Sequence, residues 1–204
     1  LLTILDPVEK YLPEFKDLKV KEGDNLVKPA RPITIRDVLT HTSGMSGDYP
    51  KAVGDFQTFY RKRDRTLAEA VKLFAQQPLE VHPGTKWIYS NTGIAVAGRI
   101  VEVVTGKSFE QFLEERLFTP LGMKDTHFFL PASKNDRVAQ IYQLTESGLK
   151  KSVIEPTREN AVYSAPEAGL YSDAADLFRF LQMLLNGGRF NGKQILSHHS
   201  VELM

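Results

Sequence analysis

Cysteine is missing from this sequence altogether. That excludes thiol catalysis and thiolate metal sites, although an absent residue does not fix a redox compartment. An excess of charge is missing too: 26 basic residues stand against 25 acidic ones, for a formal net charge of +1. Nothing in that balance points to nucleic acid or to an anionic membrane. No apolar run approaches the ~20 residues that a membrane-crossing helix needs, so no membrane span is expected. Internal repeats and low-complexity linkers are absent. The opening "LLTILDPVEKYLP" has no basic segment ahead of its apolar residues, so it does not read as a signal peptide.

What is present is an ordinary globular composition, 42% hydrophobic and 25% charged over 204 residues. A chain of this length buries roughly 70% of its unfolded surface and needs no staple. We read residues 1–204 as one partial domain. "TIRDVLTH" at 34–41 predicts a short helix capped by Thr34, with Gly44 closing the next turn. Leu67, Ala70, Val71 and Phe74 recur at helical spacing and predict one buried face over 66–76. "HPGTKW" at 82–87 predicts a turn and an extended approach to a longer helix. That helix starts at Ser90-Asn91, shows an apolar stripe at Ile94, Ala97, Ile100, Val101 and Val104, and ends at Gly106. Ser108 and Gln111 form a capping-box pattern for "SFEQFLEERLF". "RVAQIYQLTESGLKKSVIEP" alternates around a polar turn and predicts a β-hairpin. Residues 172–188 predict a further capped helix with a Gly-Gly stop. The expected fold is mainly α with one or two small β-hairpins. "LLTIL" has no cap before it, and "LSHHSVELM" starts a helix at Ser197 that stops soon after. Both ends therefore read as cuts through structure, and a fragment of a longer protein is expected.

Several short stretches carry candidate chemistry, each with a plainer reading beside it. "HTSG" at 41–44, with Asp37 one turn earlier, holds the residue types of a hydrolytic triad; a helix-ending turn explains it as well. "RKRDR" at 61–65 could meet a nucleic acid or could be a solvated loop. "TGKS" at 105–108 resembles the end of a phosphate loop, but the first glycine of that motif would fall on Val101. His82, His127 and the pair His198/His199 share no spacing with carboxylates that would make a metal site. "SGLK" at 147–150 is the only Ser-x-x-Lys, and it lies in a predicted hairpin turn rather than on a helix. Tyr89-Ser90-Asn91 reads locally as a helix cap preceded by a core aromatic.

Four longer stretches change the weight of that triplet. "PVEKYLPEF", "ITIRDVLTHTSGM" at 33–45, "HPGTKWIYSNTGIAVAGRIVEVVTGKSFEQFLEERLFTPLGM" at 82–123 and "AGLYSDAADLFRFLQMLLNGG" at 168–188 follow one another in a characteristic order. In them the chain resembles the class C β-lactamase family of serine hydrolases, a group that includes D-alanyl-D-alanine carboxypeptidases and penicillin-binding-like esterases. Such proteins carry a helix-borne Ser-x-x-Lys, a Tyr-x-Asn, and a Lys-Thr-Gly or His-x-Gly strand. Tyr89 and Asn91 match the second. The first is expected before Leu1 and the third after Met204; Ser147 to Lys150 follow the Tyr-x-Asn and so stand in the wrong order for the nucleophile.

The resemblance implies the helical lobe of the serine β-lactamase or penicillin-binding-protein-like fold, with most of the α/β sheet lobe missing. It implies a parent that acylates its serine with a lactam, a D-Ala-D-Ala peptide or an ester, without metal or organic cofactor, in a periplasmic or secreted setting. Tyr89 would be catalytic, moving the proton between serine, leaving group and water. Asn91 would bind the substrate's amide. The chain alone is expected to be inactive, and to self-associate through the exposed lobe interface. A non-catalytic binding or scaffold module reusing the same lobe is the alternative.

Overall fold

Thr34, Thr66, Ser90, Ser108, Asp173 and Ser197 each stand just before a helix, and each side chain accepts a hydrogen bond from the backbone N–H three residues on. Short polar side chains do this because the first N–H groups of a helix have no partner inside it. At Thr34, Thr66 and Ser108 the third helical residue, Asp37, Glu69 or Gln111, returns a bond to the cap's own N–H, completing a capping box. These caps punctuate the computed structural model, which describes residues 2–47, 59, 62–151 and 160–204.

The helices that position the site are α1 (Ile35–Leu39), α2 (Leu67–Phe74) and α3 (Asn91–Thr105). Leu67, Ala70, Val71 and Phe74 are all buried, as their spacing predicts. α3 packs against both α1 and α2, and of the apolar residues that mark it in the sequence Ile100 is buried and Ala97 packs on the core. Thr92, Gly93, Ala95, Val96, Gly98 and Ile100 are buried, whereas Val104 is half exposed. The physical reason is close approach: Gly98 lies so near Pro166 that a Cβ there would fall 2.2 Å from the proline Cγ. Small residues thus decide which face goes inward. α3 ends at Gly106, in the left-handed region at φ 68.

The next helix is broken rather than continuous. α4 (Phe109–Leu113) widens into a π turn over Glu114–Phe118, followed by α5 (Thr119–Leu121). Pro120 lacks an N–H for the carbonyl four residues back, and the Thr119 N–H reaches back five residues to Glu114. Later come α6 (Ala174–Leu185) and α7 (His198–Glu202).

Among the described residues the strands form three separate antiparallel hairpins: β1 (Val20–Glu22) with β2 (Asn25–Val27), β3 (Tyr142–Thr145) with β4 (Gly148–Lys151), and β5 (Arg189–Phe190) with β6 (Lys193–Gln194). The middle one is the hairpin expected from alternation. The other two have strands of two or three residues, too short to show a period. Buried apolar side chains gather in two clusters. The larger joins α1, α2 and α3 around Val38, Val71 and Val96; the smaller joins Phe118, Leu121 and Met123 to Met183 of α6.

Candidate functional site

Tyr89 ends the extended approach, Ser90 is the N-cap of α3, and Asn91 is its first helical residue. The cap is Ser90 alone, not Ser90 and Asn91 together, because only the Ser90 hydroxyl reaches the Gly93 N–H, at 3.0 Å. That hydroxyl also donates to the Ser46 carbonyl at 3.0 Å and lies 3.0 Å from the Thr92 hydroxyl, which bonds the same carbonyl at 3.1 Å. Ser90 is fully buried. The start of the helix is therefore tied to the 43–47 loop.

Tyr89 is not a core aromatic. It is 55% exposed and Trp87 is 62% exposed, although both adjoin a tightly held backbone. Asn91 beside them is half buried. Under Tyr89 lies His41, with ring centroids 4.7 Å apart and planes tilted by 34°. Trp87 meets the same imidazole edge-on at 5.9 Å. The His41 Nδ1 accepts the Ser90 N–H at 3.1 Å, and the His41 carbonyl accepts the Ile88 N–H at 2.8 Å. The other side of the triplet is equally close: a Cβ on Gly47 would sit 2.7 Å from the Tyr89 carbonyl oxygen.

The turn that carries His41 is fastened by Asp37. Its carboxylate receives two guanidinium bonds from Arg31, at 2.6 and 2.9 Å, the N–H and hydroxyl of Thr34, and the hydroxyl of Thr42. Burial works against the charge on Asp37, but the Arg31 guanidinium and the Thr34 donors outweigh it and lower its pKa to about 2. "HTSG" is thus no triad. Asp37 is committed to Arg31 and Thr34, the His41 Nδ1 to Ser90, and the buried Ser43 hydroxyl accepts the Met45 N–H. The stretch is a turn, as its plainer reading has it, yet it delivers His41 to the tyrosine. Nothing in the local pattern announces that contact, just as none announces the bond of His41 to Ser90, 49 residues away.

The remaining candidates lie elsewhere. Ser147 sits in the tight turn of β3–β4 with its hydroxyl 3.1 Å from that of Thr145, while Lys150 pairs across the hairpin with Gln143. Gly106 ends α3 and Ser108 caps α4, which accounts for "TGKS". In "RKRDR", Arg61 lies outside the described residues, and the Arg63 carbonyl takes the N–H groups of Val162 and Tyr163. His82 accepts the Ala30 N–H and donates to Glu22, the His127 Nε2 lies 2.8 Å from the Lys134 amine, and His198 faces Glu202. Among the described residues no group of three or more potential ligands is placed to hold a metal ion, and no helix is long and apolar enough to cross a membrane.

The family model described as Beta-lactamase matches residues 1–204. The chain belongs to the β-lactamase family. Among its relatives, protein Rv1367c of Mycobacterium tuberculosis is 32% identical over 100% of this chain and 52% of its own length. The N-acetylmuramyl-L-alanine amidase of Bacillus subtilis is 31% identical over 99% of this chain and 48% of its own. Among solved structures, EstCE1, a hydrolase with promiscuous acyltransferase activity, superposes with a TM-score of 0.76 at 26% identity, covering 100% of this chain and 56% of that one. The octameric penicillin-binding protein homologue from Pyrococcus abyssi gives a TM-score of 0.68 at 27% identity, covering 98% and 42%. This member of the family therefore has a β-lactamase and penicillin-binding-protein-like fold. It spans about half the length of the curated relatives that it matches.

Proposed function

We propose that this chain supplies the Tyr-x-Asn part of a serine hydrolase active site. In this reading residues 1–204 are mostly the helical lobe, and a sheet lobe in the rest of the protein completes the cleft. The observation that carries the proposal is the exposed Tyr89 ring on a backbone fixed from both sides, with Asn91 starting α3 next to it. A buried tyrosine would be core; a tethered but solvent-facing one supports a role toward substrate. The reaction is acylation of a serine by a lactam, a D-Ala-D-Ala peptide or an ester, followed by hydrolysis of the acyl-enzyme. Tyr89 carries the proton from the serine to the leaving group and then from water. The Asn91 side chain offers an amide donor and acceptor to the substrate's own amide. The 204 residues alone do not turn over substrate, because the acylated serine lies in the rest of the protein.

The test is acylation of the complete protein by a penicillin, a D-Ala-D-Ala peptide and an activated ester. Tyr89→Phe should slow acylation by about 10²–10⁴-fold, the usual cost of a lost acid–base group. A complete protein that is folded, binds these ligands and forms no covalent adduct by intact mass is instead a non-catalytic binding module. A stoichiometric adduct on a serine of the 204-residue chain would show that the nucleophile is inside it, and the proposal would fall.

A further inference from the structure

His41 has a backbone that its side chain type does not favour. It follows Thr40, the residue that closes α1, and has φ 58, in the left-handed region. Glycine or asparagine is the usual occupant there, and a residue with a Cβ is strained in it. A non-glycine residue in this region is a reason to ask what the side chain does. Here it holds the two residues flanking Tyr89. The His41 carbonyl takes the N–H of Ile88 and the imidazole Nδ1 takes the N–H of Ser90. Between those two bonds the ring lies 4.7 Å beneath the Tyr89 ring. Nδ1 is an acceptor here, so the neutral imidazole carries its proton on Nε2.

We infer that His41 is the positioning residue of the site, fixing both the backbone and the ring plane of Tyr89. The inference rests on the function proposed above. Tyr89 is more exposed than buried, and among the described residues the rings that pack on it are those of His41 and Trp87. Without the imidazole the phenol loses the ring packed beneath it, and a hydroxyl that wanders by an ångström loses much of its rate advantage. The two contributions are separable. His41→Asn suits the left-handed backbone and retains an acceptor for Ser90, but removes the ring. His41→Phe keeps a ring under Tyr89 and removes the acceptor.

The experiment compares both variants with Tyr89→Phe in the complete protein, reading kcat and KM for the activated ester, the melting temperature, and hydrogen exchange at the Ser90 amide. For His41→Asn the expected result is a melting temperature close to wild type, a protected Ser90 amide, KM within about twofold, and kcat lower by about tenfold or more. For His41→Phe the Ser90 amide should exchange at least about tenfold faster, with kcat also reduced. Should His41→Asn fail to fold, His41→Gly relieves the positive φ and removes ring and acceptor together, and should lose at least as much kcat. Wild-type kcat in the His41 variants, with Tyr89→Phe inactive, would reduce His41 to a turn residue and leave the proposed function standing. A loss of kcat that follows the melting temperature, and is recovered on cooling, would overturn the inference in the same way. Full turnover by Tyr89→Phe would remove the proposed function, and the positioning role with it.

Discussion

The Ser90 hydroxyl, with no exposed surface, serves Gly93, Ser46 and Thr92 at once. Replacing it by alanine removes the cap of α3 and leaves a buried N–H without its acceptor. Ser90→Ala should cost about 1–2 kcal/mol in urea unfolding. Asn91→Ala should differ sharply, moving stability by no more than about 0.5 kcal/mol because Ser90 holds the cap. A fall in activity there would then report on substrate binding rather than folding. Asp37 gives the residue scale a pH signature. Its folded pKa of about 2 lies below the ordinary aspartate value near ~3.9. Its contribution is therefore complete above pH ~4 and is lost as pH falls through the folded value. Unfolding midpoints measured between pH ~5 and ~2 should fall steeply in the wild type and less steeply in Asp37→Asn, which should already be weaker at neutral pH. The helix start at Ser90 was legible in the sequence because a short polar triplet carries it, and Tyr89 and Asn91 as site residues are our proposal from the Tyr-x-Asn match. The contact of His41 with Tyr89 was not legible, because it joins two segments, and no local period records one.

At the scale of elements, caps were the most readable feature and faces the least. Ser108 and Gln111, or Thr34 and Asp37, encode a helix start within four residues. The helix Asn91–Thr105 and its end at Gly106 were legible, but which face goes inward was not, because small residues such as Gly98 set it through close approach. Gly98 gives the sharpest test of the true face. Alanine is the better helix former by about 1 kcal/mol, yet its methyl would lie 2.2 Å from the Pro166 Cγ and 2.8 Å from its Cβ, both atoms of a rigid ring. Overpacking of this kind costs about 1–3 kcal/mol, so Gly98→Ala should lower the melting temperature despite its propensity. The opposite holds in the β3–β4 turn. Ser147 bonds only its hairpin neighbour Thr145 among the contacts described, so Ser147→Ala should stay within about 0.5 kcal/mol in stability and near wild type in activity. A hundredfold loss of acylation would contradict this. The two shortest hairpins escaped the sequence reading for want of length: a strand of two residues has no period to detect.

Across the whole molecule, the same kind of ambiguity falls on α6, which is apolar on two sides. Met183 and Leu184 pack on the Phe118 cluster, while Leu177, Phe178, Leu181 and Leu185 lie exposed on the other face. A contiguous apolar row of this size favours association. The chain should sediment as a concentration-dependent mixture, and Phe178→Ser with Leu181→Gln should shift it toward monomer; a compact wild-type monomer at every concentration would contradict this. A backbone bridge pairs the segment after α5 with the one before α6, where His127 and Tyr171 exchange N–H and carbonyl at 2.8 and 3.0 Å. The bond from Ser90 to His41 is long-range in a different sense, one of time. It closes a loop of 49 residues, and closure on that scale costs about 3 kcal/mol of chain entropy before any contact returns it. Capped helices form locally and fast, so the aromatic shelf can be assembled only after α1 and α3 have met. Trp87, the sole tryptophan of the chain, stands on that shelf. In a refolding experiment its emission should therefore lag the helical circular dichroism signal, making the site a late arrival.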